Sequence, residues 1–469
     1  MQRLPILLTS ILLVAANAAS AVTPAAAQKL LADVTPALVA VQYTWDSELG
    51  RRDFVGAGLV VGDDGLVMLT ISLTPPMMPD EQMKDFKLIL PGDELTEIDA
   101  EFVGRDERSN VAFVRPKGTD QDPDRAKWKF KAVKFEDLPV GVGEEVYSVG
   151  LLGKTAAYQS YFTRALVSAN LRGEIKHVLV TPGGLAGIGS PVFNQDGKAV
   201  GWVGMQTGQA PILNDPNPQN QLQAVYSPPR MFIPTREFSL SLSNPPVAGK
   251  PLALPWIGVA QMTGLKKEVA EYFDLAGQPA VQVGDVIKGT PADQAGLKAG
   301  NIIVKVNGKP LERGDEPDEA ALILMKDVKR MKVGEKVTFS VITEANKPPT
   351  DLSFTLAERP KQENQAERYY AEDLGFTARE VVFDDTYRRH LPADQKGVVI
   401  ALVKPAGAAQ TGKLERGDLI TRLNQTPVTD VEQFKKAYLE FRKANPREAV
   451  VLEAKRQGSD EIIRIEPPR

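Results

Sequence analysis

Residues Thr181–Met205 read TPGGLAGIGSPVFNQDGKAVGWVGM, and the rest of the chain is placed outward from them. A glycine-rich loop leads into Ser190-Pro191 and the apolar pair Val192-Phe193, then a turn at Asn194 to Gly197, then a second apolar run. Turn formers bracketing two short strand-favouring runs predict loop, strand, tight turn, strand. Such a hairpin is a rigid frame for the loop in front of it.

The pattern resembles the nucleophile loop of HtrA-type (DegP-like) trypsin-fold proteases: Gly-Asn-Ser-Gly-Gly-Pro, two apolar residues, an Asn and a turn. With the prolines paired at Pro191, Ala186, Gly187, Ile188, Gly189 and Ser190 stand against Gly-Asn-Ser-Gly-Gly. The resemblance therefore implies that Ile188 holds the nucleophile's place, and isoleucine has no lone pair with which to attack a carbonyl. Upstream, GAGLVVGDDGLVMLTISL (56–73) reads as strand, Asp-Asp-Gly turn, strand. It is similar to the family's Gly-Ser-Gly run ending in Thr-Asn-(His or Asn)-His-Val, with the catalytic histidine at Ser72. A serine is no base near neutral pH. FVGRDERSNVAFVRP (102–116) is similar to the family stretch whose last Asp orients that histidine, and it has Asn110 there. Asparagine keeps the shape and loses the charge.

These stretches are anchored independently, and loss of one triad member typically costs roughly 10⁴–10⁶ in turnover. The expectation is that Ser72, Asn110 and Ile188 leave the chain without catalytic residues. A rearranged site is the alternative, with Ser190 as a displaced nucleophile and either His177 (in EIKHVLVT) or Lys154 as base. The plainer reading makes Ser190 a substitute for a small glycine, His177 a solvent-facing strand residue and Lys154 part of the scaffold.

MQRLPILLTSILLVAANAASAV at the start has one positive charge at Arg3, an apolar run and small-residue cleavage sites, the pattern of a secretory signal peptide over 1–21. The run is short for a membrane span, so an uncleaved anchor is the lesser alternative. QKLLADVTPALVAVQYTW (28–45) turns from helix pattern to alternating strand. KGTDQDPDRAKWKFKAVKF (117–135), polar and charged, reads as a surface linker, and QAPILNDPNPQNQLQ (209–223) as a flap or a disordered loop. MFIPTREF (231–238) resembles the segment closing the family's second barrel.

From Pro255 the texture changes. GTPADQAGLKAGNIIVKVNGKPL (289–311) resembles the PDZ core motif nearly throughout, with Asn301 for the usual Asp in a turn that tolerates Asn. A second copy follows, with DLGFTAREV from Asp373 and KPAGAAQTGKLERGDLITRLNQTPV at 404–428. Each continues into a helix pattern (DEAALILMKDVKRM, VEQFKKAYLEFRKA) and a strand, an internal repeat. PDZ grooves add an extended peptide to a sheet edge and hold its terminal carboxylate on amides of the preceding turn. By resemblance those turns contain Ile257, Gly258 and Val259 in the first copy and Leu374, Gly375 and Phe376 in the second. Their apolar side chains are groove or ordinary core, and Trp256 is a lid or an interface residue.

The 469 residues suggest several domains. The expected fold is mainly β: a trypsin-like double barrel over 22–245 (halves about 28–117 and 135–240), then two α+β PDZ domains at 250–358 and 366–467. Net charge −4 without a basic block argues against a nucleic-acid partner. Zero Cys excludes thiol catalysis, and two distant His (His177, His390) argue against a metal site, so no cofactor is expected. The reading is an exported, periplasmic, catalytically inactive HtrA-like protein that binds peptides, C-termini or unfolded protein segments. An active serine endopeptidase is the alternative, and a trimer is implied by resemblance alone.

Overall fold

Two closed six-stranded barrels carry the first half of the chain in a computed structural model describing residues 22–92, 96–118, 130–204, 227–314, 316 and 318–468. The signal-peptide stretch, most of the 117–135 segment and the 209–223 loop lie outside the described residues. Helix α1 (Pro24–Val34) starts at Thr23, whose hydroxyl accepts from the Ala26 amide, and leads into β1 (Leu38–Ser47). With β2 (Gly50–Val60), β3 (Val67–Thr70), β4 (Met83–Ile89), β5 (Glu97–Asp106) and β6 (Val111–Pro116) it closes in the order β1-β2-β3-β6-β5-β4. The second barrel joins β7 (Glu145–Leu151), β8 (Ser160–Leu171), β9 (His177–Gly183), β10 (Pro191–Phe193), β11 (Ala199–Trp202) and β12 (Met231–Pro234) in the order β10-β11-β12-β9-β8-β7. The hairpin expected after Ser190 is β10-β11, pairing Val192 with Gly201.

β3 is buried along its whole length, and the first barrel's core runs on through Tyr147, Val149, Phe193, Trp202 and Phe238 of the second. The barrels thus share one apolar seam, each such large side chain contributing roughly 1.5–3 kcal/mol by leaving water. The described end of the supposed surface linker belongs to that seam. The Val133 amide bonds the Val60 carbonyl, and Phe135 meets Phe238 edge-on at 4.9 Å.

The first carboxy-terminal module contains β13 (Pro255–Trp256), β14 (Val259–Gly264), β15 (Val281–Val286), β16 (Ile302–Val306), β17 (Lys309–Pro310), α2 (Glu319–Arg330), β18 (Lys336–Ile342), β19 (Thr350–Thr355) and β20 (Ala357–Glu358). Its sheet runs β14-β15-β16-β18-β19, beside a β13-β20 ribbon. The second contains β21 (Arg368–Ala371), β22 (Phe376–Glu380), α3 (Phe383–Arg388), β23 (Val398–Val403), β24 (Leu419–Leu423), β25 (Thr426–Pro427), α4 (Val431–Ala444), β26 (Val450–Arg456) and β27 (Ser459–Ile465), in the order β21-β22-β23-β24-β26-β27.

The repeat extends to single hydrogen bonds. Asn301 accepts from the Lys298 amide just as Asp418 accepts from that of Glu415, which is why Asn serves for Asp there. Asn307 and Asn424, both at positive φ, accept from the amides of Thr338 and Val451.

Polar side chains lock the modules to the barrels. Glu237, 4% exposed, meets Lys326 (5% exposed) at 3.4 Å and Arg330 at 3.0 Å, both on α2. Arg359 grips Glu107 with two hydrogen bonds, and Thr377 donates to Glu48 at 2.7 Å. Trp256 meets Phe383 of α3 edge-on at 5.4 Å, so it is an interface residue between the two modules. Beside it, Tyr387 hydrogen-bonds Asp285.

Candidate functional site

Ser72 lies in the 3₁₀ turn Ile71–Leu73 that ends β3, its hydroxyl 2.9 Å from that of Thr70. The Ile71 amide donates to the Asn110 carbonyl at 3.1 Å, and Thr70 pairs with Val111, so Ser72 and Asn110 sit at adjoining ends of β3 and β6. Asn110 is exposed, at φ 53°. Ile188, partly exposed, is in the loop before β10. That loop presses on β2: at Gly189 (φ 95°) a Cβ would lie 2.9 Å from the Ala57 carbonyl oxygen, so only glycine allows the approach. Ala57 is one residue from Gly58, which pairs with Leu69 on β3. The three positions therefore gather where β2, β3, β6 and this loop meet.

Acyl transfer also needs donors aimed at the developing oxyanion. In a trypsin-type site these are the nucleophile's own amide and the amide two residues before it; on the expected placement of the nucleophile at Ile188 they would be those of Ile188 and Ala186. The Ala186 amide already donates to the Ser148 hydroxyl at 3.2 Å, and Ala186 is fully buried. The next amide, of Gly187, donates to the Tyr161 hydroxyl at 2.8 Å. Burial pushes the Tyr161 phenol up to about 12 although the Gly187 bond favours its ionised form, so it stays a neutral acceptor. The sequence reading missed Ser148 and Tyr161, and no local signal marks them.

Ser190 is 1% exposed and its Oγ has no hydrogen-bond partner among the described residues. It is sealed against β7, where a Cβ on Gly150 would come within 2.4 Å of it. His177 instead turns Nδ1 to the Ile175 carbonyl at 2.8 Å, and burial holds its imidazole below the usual value. Lys154 is exposed in the turn Lys154–Ala156. Among the described residues, neither His177 nor Lys154 is hydrogen-bonded to Ser190.

In the modules, Ile257 and Val259 belong to one core and Leu374 and Phe376 to the other. Only their backbone is left for a ligand. In the first turn Gly258 (φ 83°) hands its carbonyl to the Ile287 amide, while the amides of Ile257 and Gly258 have no partner among the described residues. β14 ends its sheet beside α2. In the second turn the Leu374 and Gly375 amides donate to the Ala371 carbonyl at 3.2 and 2.8 Å. Among the described residues no three His, Asp or Glu are grouped to hold a metal, and no helix is long and apolar enough to cross a membrane.

Residues 56–201 match the trypsin-like peptidase domain family, and 282–333 and 365–443 match PDZ domain families. The probable periplasmic serine endoprotease DegP-like of Marinomonas sp. (strain MWYL1) is 26% identical over 396 residues, 82% of this chain and 74% of that protein. Its counterpart in Ectopseudomonas mendocina (strain ymp) is 25% identical over 427 residues, 87% and 79% of the two chains. Among solved structures, the HtrA-type protease AlgW with decapeptide superposes with TM-score 0.51 at 15% identity, covering 71% of this chain and 99% of that one. The same protease with tripeptide gives 0.50 at 17%, covering 72% and 98%. At such identities the structures speak for the fold alone. With a trypsin-type double barrel, two PDZ modules and DegP-like relatives along most of its length, the chain belongs to the HtrA/DegP-like family.

Proposed function

We propose that this protein is a catalytically inactive member of that family, which binds peptides or unfolded segments of exported proteins as a holder, a scaffold or a regulator of an active relative. The observation that carries the reading is the buried Ala186 amide bonded to Ser148 beside Ile188. With Ser72, Asn110 and Ile188 at the triad-equivalent positions, neither attack nor proton transfer nor oxyanion capture has its group. The periplasm fits as the location, since the relatives' names carry it and the first 21 residues read as an export signal. A homotrimer is the assembly the family resemblance suggests. Capture of a chain end falls to backbone amides, as in the first module's turn at Ile257 and Gly258.

The relatives' naming as serine endoproteases favours a second reading, an active peptidase with rearranged groups centred on Ser190. A fluorophosphonate probe and a casein turnover assay on purified protein separate the two. The inactive reading expects no labelled serine and no turnover. Labelling or turnover abolished by Ser190→Ala would overturn it.

A further inference from the structure

We infer that the peptide groove of the second PDZ module is occupied by the chain's own strand β21, which acts as an internal ligand. This narrows the proposed peptide binding to the first module, but occupancy of the second groove does not depend on that binding.

A PDZ ligand adds as an extended strand between the first groove strand and the helix facing it. In the first module the equivalent strand, β14, ends its sheet. In the second, β22 lies inside the sheet. β21 pairs antiparallel with it from Arg368↔Arg379 to Ala371↔Phe376, along the edge where a peptide would lie. The side chains follow: the Tyr369 ring packs on α4, 6.3 Å from Phe434 and 5.8 Å from Tyr438. The end of the strand completes the mimicry, because the Ala371 carbonyl oxygen takes the Leu374 and Gly375 amides, the donors a terminal carboxylate needs.

The carboxylate beside this turn is also already engaged. Asp373 is exposed immediately before Leu374, and it engages Arg442 at 2.8 Å together with the Tyr438 hydroxyl. Lys404, whose stem lies over Gly375, offers an opposing charge, yet the amides it would assist are already bonded. A free peptide must therefore displace a strand tethered through the short turn 372–375, whose effective concentration is on the order of millimolar. The first barrel also meets β21 itself, where Arg368 Nε lies 4.0 Å from the Glu81 carboxylate.

Hydrogen exchange on the unmodified full chain tests occupancy without any ligand. The Leu374 and Gly375 amides are expected to exchange at least roughly 100-fold more slowly than in an unstructured chain, and near-coil rates would overturn the inference. A C-terminal heptapeptide library carrying a photo-crosslinker then tests exclusion. No cross-link is expected on 376–380 in the parent protein, and one there overturns the inference. Replacing Arg368–Ala371 by a Gly-Ser tetrapeptide in a Gly258→Val background, where the first turn is blocked, is expected to create such cross-links. A replaced chain that keeps its fold by circular dichroism and still captures nothing on 376–380 counts against the inference. Absence of peptide capture by the first module would refute the proposed function while leaving the exchange result to stand.

Discussion

Glu237→Gln removes the carboxylate on which the second barrel and helix α2 converge. Glu237 and Lys326 are 4% and 5% exposed and 3.4 Å apart, so water screens the pair little. At an effective dielectric constant of about 20 their attraction is about 5 kcal/mol, most of it offset by the cost of having desolvated both groups. The substitution takes from buried Lys326 its ion-pair partner, and breaking such a pair costs about 3–5 kcal/mol. The lower end of that range is expected, because Arg330 keeps its 2.6 Å bond to the Glu237 carbonyl. In a multidomain chain the loss is read locally rather than from one melting curve. Native-state hydrogen exchange across Ile323–Arg330 should accelerate at least roughly 100-fold, together with new protease cleavage near 244–254. Glu237→Leu combined with Lys326→Met should restore most of the protection, since replacing both partners of a buried pair is close to neutral. A single substitution that changes exchange less than about fivefold, roughly 1 kcal/mol, would refute the latch.

Gly258→Val places a Cβ 2.1 Å from that of Thr290 at a φ of 83°, so peptide capture by the first module should fall at least about tenfold with ellipticity kept, as measured by fluorescence anisotropy. Burial pushes the Asp385 carboxyl up, but hydrogen bonds from Arg379 and the Val382 amide outweigh it and hold it below 3.8. A folded value below the unfolded one gives stability that is complete above the unfolded pKa and lost as pH falls through the folded one. The urea midpoint of the second module should therefore drop between about pH 5 and about pH 2, and Asp385→Asn should flatten that drop. Restoring the triad by Ser72→His, Asn110→Asp and Ile188→Ser should leave peptide turnover at background. Adding Ser148→Ala, which frees the Ala186 amide, should raise it roughly 10²–10³-fold, and turnover by the triple variant alone would contradict the role given to Ser148.

What the sequence made legible was whatever is encoded locally. Turn residues at Asn194–Gly197 and the Asp-Asp-Gly turn marked the hairpins, and the paired turn motifs at Asn301 and Asp418 marked the repeat. Positions 72, 110 and 188 could be set against the family's triad because each sits beside such a landmark. Contacts between distant residues could not be read: Ser148 reaches Ala186 across 38 residues and Tyr161 reaches Gly187 across 26. The pairing of β21 escaped for a related reason, since RYYA signals a strand but not its partner. In the segment ending KFKAVKF, Phe130, Ala132, Val133 and Phe135 join the seam without forming a strand, so no strand period marks them among the lysines.

Helix α2 is held from two sides. Ala320, Ala321, Leu324 and Val328 belong to the first module's core, while Lys326 and Arg330 are seated on the second barrel. A slot whose far wall is bolted to a neighbouring domain does not widen to suit its guest. A chain end entering beside β14 meets a gap of fixed width, surrenders less entropy in ordering its host, and is sorted by girth before chemistry.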